Sequence, residues 1–130
     1  MAPSPLSPQR FSIAARLRSF RFAWAGVRHM LRHQHNAQIH LLITVAVCAA
    51  GAGIGLDRTE WLWIVLAIAL VWVAEAFNTA FEYLCDVVEP DFHHGVEKAK
   101  DIAAGAVLIA AVAAAALGGL VFWPHLSLPP

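Results

Sequence analysis

Apolar residues run through this chain in three long stretches, and polar side chains break them at only a few positions. The first stretch extends from about Ile39 to Leu56 and is apolar apart from His40 near its start. The second opens at Trp61 and stays apolar only to Ala74. That length is short of the roughly 20 residues a helix needs to cross a bilayer. It spans only if the helix continues to about residue 84, so that Glu75 and Asn78 face protein or water rather than lipid. The third, over residues 98–123, carries runs of small residues (Ala103, Ala104, Gly105, Ala106; Gly118, Gly119) that allow close approach of helices. Ahead of all three, Ile13, Leu17, Phe20, Trp24, Val27 and Leu31 recur by threes and fours within residues 10–32, one face of an amphipathic helix. Residues 1–9 and 124–130 are proline-rich and are expected to be tails that do not propagate a helix.

The pattern predicts an all-α integral membrane protein: an N-terminal amphipathic interfacial helix followed by three transmembrane helices. Composition agrees, because a 130-residue chain that is 59% hydrophobic and 14% charged has more apolar side chain than so small a soluble domain can bury. Met1–Pro8 lacks an apolar core, so no signal peptide is expected. Cys48 and Cys85 lie in or beside apolar stretches and read as packing residues rather than a disulfide or metal pair.

Net charge is zero, but the charges are sorted along the chain. Arg16, Arg18, Arg21, Arg28 and Arg32 flank the amphipathic face, which suits a helix lying at headgroup level beside lipid phosphates. Arginine-rich segments stay cytoplasmic. The Asp57–Glu60 turn is then outside, the Cys85–Lys100 loop inside with Lys98 and Lys100, and the C-terminus outside.

Most of the acids lie between Glu75 and Asp101. Within EAFNTAFEYLCD, Glu75, Asn78, Glu82 and Asp86 fall at about 0°, −60°, −20° and +20° around a helix, one stripe on one side. Three carboxylates and an amide so arranged repel one another unless something positive sits against them, either a divalent cation or a cationic group on another helix. Oxygen donors favour Mg²⁺ over zinc or copper. Lys100 and Asp101 offer a lysine and a further carboxylate at the same depth. Glu75, directly after the apolar run, is the residue whose burial most demands a function. The interfacial histidines His29, His33, His35 and His40 are a weaker metal candidate. No GxxxxGK[ST] or other Gly-rich phosphate loop is present, so a nucleotide would be held in another way.

At these residues the chain resembles the bacterial diacylglycerol kinase and undecaprenol kinase family of small three-span lipid kinases. EAFNTAFEYLCD matches the family's E-x-x-N-[ST]-A-[IF]-E-x-x-x-D pattern, and FHHGVEKAKDIAAGAVLIAA its [YF]-H…A-K-D stretch; FAWAGVRHML with NAQIH matches more weakly. The resemblance, from about Phe20 to Phe122, implies that residues 10–123 are a lipid kinase domain in the bacterial inner membrane. Its activity would be transfer of the γ-phosphate of ATP to the primary hydroxyl of diacylglycerol or undecaprenol, in phospholipid or lipid-carrier metabolism. Glu75 would be the catalytic carboxylate. Asn78 and Ala104 would join it at the acceptor. Glu82 and Gln34 would hold Mg²⁺, and Phe22, Gln34, Glu82, Asp86, His93, Lys100 and Asp101 would engage the nucleotide. The family is a homotrimer with sites shared between subunits, and no nucleic-acid partner is implied.

Three positions depart from the pattern. Gln34 stands where the family commonly has a second metal-binding glutamate, Gln38 where arginine is usual, and Ala104 where some members carry serine. A glutamine carbonyl can coordinate Mg²⁺ but brings no negative charge. From another class, a ring of Glu75 and Glu82 side chains in an oligomer would suit a cation- or proton-conducting protein. A lapsed family member acting in assembly is a third reading, for which Gln34 is the hint.

Overall fold

The computed structural model describes residues 12–127, so the tail expected over residues 1–9 and the last residues of the C-terminal tail lie outside the described part. It consists of four helices in chain order: α1 (Ile13–His33), α2 (His35–Ile54), α3 (Arg58–Val88) and α4 (His94–Ser127). The last three are long and apolar enough to cross a membrane.

Local chemistry sets each boundary. Ser12 caps α1, its Oγ accepting from the Ala15 amide. A single extended residue, Gln34, separates α1 from α2. The Gln38 side chain reaches back across that corner and donates to the carbonyls of Leu31 and Arg32, satisfying the frayed end of α1. Gly55, at φ 80°, ends α2 in the left-handed conformation that glycine adopts most readily. Asp57 and Glu60 then form a reciprocal capping box at the start of α3.

Two expectations about loops and ends change. The predicted inner loop over Cys85–Lys100 shrinks to residues 89–93, because α3 runs on to Val88 and α4 begins at His94. Pro90 fixes the break, as it can neither donate to the helix nor leave the residue before it helical. At the other end, Pro124 does not stop α4, which continues to Ser127. The lost hydrogen bond is local, and Ser127 Oγ donates to the Trp123 carbonyl across the same turn.

α3 packs chiefly against α4 as an antiparallel hairpin, with α2 alongside and α1 folded against the others. The apolar core sits toward the start of α3, where Leu56, Ile64 and Val121 pack with Val47, Trp61, Ile68 and Phe122. Gly51 permits this closure: a Cβ there would lie 2.9 Å from Leu56 Cδ1 and 3.1 Å from the Trp61 ring. Outside this core, large apolar side chains such as Phe77, Leu108, Ile109 and Leu120 are exposed, as a chain solvated by lipid requires. Cys48 and Cys85 are free and half-buried.

Candidate functional site

Past the apolar core, the interior of the bundle turns polar. Glu75, Asn78 and Thr79 are the buried polar residues among those described, with Glu75 only 1% exposed. All three come from α3, one to two turns beyond Val71. At 1.5 Å per residue, Glu75 lies about 25 Å along α3 from Arg58, near the far edge of a ~30 Å hydrocarbon layer. Glu82 and Asp86 lie about 10–17 Å further on, in the headgroup region.

Burial fades along the stripe that the spacing predicts: Glu75 and Asn78 are buried, Glu82 is half-buried and Asp86 is exposed. The charges are answered one at a time. Beside Glu75, His40 of α2 brings its Nε2 to 4.0 Å from Oε2. Asn78 Nδ2 donates to Glu82 Oε1 at 3.1 Å. Lys100, from the first turns of α4, forms an ion pair with Asp86. Among the described residues no cation lies within ion-pair distance of Glu82, whose hydrogen-bond partner is the Asn78 amide.

Three buried oxygens on this stretch have no hydrogen-bond partner: Glu75 Oε2, Asn78 Oδ1 and Thr79 Oγ1. Buried polar atoms are usually paired, and three such atoms within five residues make this stretch the candidate site. Thr79 is a residue that the sequence reading missed. The signal was available, since it stands four residues after Glu75 and shares its face. By position along the chain His40 belongs with the interfacial histidines, yet its neighbour is the buried Glu75 carboxylate, and an ionisable group inside an apolar span is the signal for it.

A second cluster forms at the α3–α4 corner. A pocket of about 450 Å³ is lined by Asp86, Glu89, His93, Glu97, Lys100 and Asp101 together with Pro90 and Phe92. It gathers four of the residues assigned to the nucleotide: Asp86, His93, Lys100 and Asp101. His93 also caps α4, its Nδ1 accepting from the Gly95 amide at 3.1 Å. Asp86, His93 and Asp101 are exposed, while Lys100 is half-buried.

The remaining candidates do not line the α3–α4 corner pocket. Phe22 is exposed on α1 and Ala104 is exposed on α4. Gln34 is half-buried at the α1–α2 corner, and its side chain makes no capping hydrogen bond. No group of three His, Cys, Asp or Glu side chains able to hold a metal occurs among the described residues. His29 Nε2 hydrogen-bonds Tyr83 Oη at 2.8 Å and its ring stacks on His33, tying α1 to α3. A Mg²⁺ bound with phosphates asks less of the protein, one or two carboxylates completed by substrate oxygens. The Glu82 carboxylate, which has no ion-pair partner among the described residues, fits that demand.

Residues 21–122 match the family described as prokaryotic diacylglycerol kinase. A protein of Synechocystis sp. named diacylglycerol kinase is 39% identical over 127 residues, which cover 96% of this chain and 73% of that one. The matched region takes in the whole of the α3 stripe, the α3–α4 corner and His40.

Proposed function

We propose, from the premise that this chain belongs to the prokaryotic diacylglycerol kinase family and is a lipid kinase, that it transfers the γ-phosphate of ATP to the primary hydroxyl of diacylglycerol or undecaprenol at Glu75. The observation that carries the reading is the Glu75 carboxylate itself: buried at the membrane edge, with one oxygen unpartnered. A carboxylate in that setting is costly unless it serves a reaction.

Phosphoryl transfer demands in-line positioning and neutralisation of charge more than covalent help from the protein. Glu75 orients the acceptor hydroxyl and takes its proton. A carboxylate is a weak base for an alcohol, but in a loose transition state the proton leaves late, and placement counts for more than basicity. Asn78 holds Glu82 through its amide nitrogen. Glu82, with Gln34 from a neighbouring element, would hold Mg²⁺, which when bound neutralises the phosphates. Lys100, His93, Asp86 and Asp101 line the pocket that suits the nucleotide, with Lys100 steadied by Asp86.

The working form is a homotrimer. Phe22, Ala104 and Asp101 are exposed on one chain, and a second subunit packed on the small residues of α4 would bring such faces against the site. The arginines of α1, with Lys98 and Lys100, favour a cytoplasmic N-terminus and active site, the side where ATP is found.

The test uses purified protein in nanodiscs with labelled ATP and Mg²⁺, offered diacylglycerol, undecaprenol and ceramide in turn. Label on one lipid, lost in Glu75→Gln, supports the assignment and names the acceptor. Label on none, with ion flux in liposomes, would favour the conducting oligomer.

A further inference from the structure

We infer that His40 is a positioning residue for the acceptor: its Nε2 and Glu75 Oε2 form a two-point seat for the lipid's hydroxyl oxygen. The inference rests on the kinase reading above and deepens it by adding a residue from a second helix to the reacting end.

The geometry carries the argument. His40 Nε2 and Glu75 Oε2 are 4.0 Å apart, with the two side chains 16% and 2% exposed. That separation is too long for a hydrogen bond between them. It is the right width for one oxygen atom: an oxygen about 2.8 Å from each subtends an angle of about 90°, which a hydroxyl tolerates. The facing carboxylate oxygen is buried and unpartnered, so it awaits a donor. His40 also borders a cavity of about 350 Å³ between α2, α3 and α4, walled by apolar residues such as Ile43, Val47, Ile68, Ala111 and Phe122. An alcohol carried on a hydrocarbon chain is the kind of molecule such walls admit beside a polar seat.

The hydroxyl has one hydrogen and two lone pairs, and the seat uses them separately. The hydrogen is donated to Glu75 Oε2. One lone pair accepts from His40 Nε2–H, in the tautomer that keeps the proton on Nε2. The other lone pair is left pointing at the γ-phosphorus. As the new oxygen–phosphorus bond forms, the bond from the γ-phosphorus to the β–γ bridging oxygen breaks and ADP leaves with that electron pair. The hydroxyl proton passes to Glu75. His40 exchanges no proton in the step; it removes the rotational freedom of the nucleophile.

The experiment compares His40→Gln, His40→Asn and His40→Leu in nanodiscs with the lipid that the wild-type protein labels. A glutamine amide nitrogen lies close to where Nε2 sits, whereas an asparagine amide reaches only the position of Nδ1. The Asn and Leu variants should lose about 10²-fold in kcat with the KM for MgATP unchanged. His40→Gln should recover to within about tenfold of wild type, with thermal unfolding like that of His40→Asn. The Gln and Asn comparison stands even if His40→Leu does not fold. Full activity in all three variants, or Gln as impaired as Asn, overturns the seat. So does a raised KM for MgATP with kcat intact, which would put His40 at the nucleotide. A wild-type protein that labels no lipid overturns the kinase reading and the seat together, whereas an active wild type with indifferent variants overturns the seat alone.

Discussion

His125 Nε2 lies 2.7 Å from Glu60 Oε1, joining the last turn of α4 to the first turn of α3. Glu60 is shared: its other oxygen accepts from the Asp57 amide at 2.8 Å in the capping box. Lys100 and Asp86 pair at the opposite end of the same hairpin. The two longest helices are thus fastened at both ends by polar contacts, with apolar residues such as Ile64, Ile68, Val121 and Phe122 packed between them. Pro124 sits inside this clasp, which holds α4 in register past the residue expected to end it.

Replacing His125 by Gln or Ala should lower the unfolding midpoint of the protein in nanodiscs. The loss should be about 1 kcal/mol, typical of one partly shielded polar pair. Activity per folded molecule should not change, because Glu60 is about 22 Å along α3 from Glu75. Unfolding by differential scanning fluorimetry beside a lipid-labelling assay separates the two effects.

Glu75→Gln should abolish transfer, a loss of about 10³-fold or more if the carboxylate both orients and deprotonates the acceptor. The same substitution should leave the unfolding midpoint unchanged or raise it, since it removes a buried charge without altering side-chain size. A large drop in stability would mean that the carboxylate is structural.

Asn78→Ala removes the amide that holds Glu82 and the unpartnered oxygen beside it. The Mg²⁺ concentration needed for half-maximal activity should rise by about 10- to 100-fold, as when a hydrogen-bonded support of a metal ligand is lost. Titrating Mg²⁺ at fixed ATP measures it directly. An unchanged Mg²⁺ dependence would detach Glu82 from the metal.

Gln34→Glu should keep activity and improve it at low Mg²⁺, because it restores a charge where the family commonly has one. Complete loss of activity would show that Gln34 is not at the metal. Gln34 lies at the one-residue corner between α1 and α2, so the unfolding midpoint should be followed in the same samples.

The stripe on α3 and its surroundings differ in how far they can be read from residue order. Spacing alone aligns Glu75, Asn78, Glu82 and Asp86, because helical periodicity is a local property of the chain. It does not say which of them is buried. That Glu75 is enclosed while Asp86 is open follows from where α2 and α4 cross α3. Those crossings depend on contacts such as Gly51 against Leu56 and Trp61, whose effect appears only once the helices meet. His93 shows the same limit: a residue marked for the nucleotide also serves as the cap of α4.

Membrane architecture, the acidic stripe and the family were all legible in residue order. A bilayer imposes length and hydropathy on every span, and the family motifs are contiguous runs on single helices. The polar pairings came from the tertiary fold: His40 against Glu75 across α2 and α3, Lys100 on Asp86, and His125 on Glu60 beyond a proline. Each pair joins residues distant along the chain, and a polar contact acts over a few ångströms of space rather than over any interval of sequence.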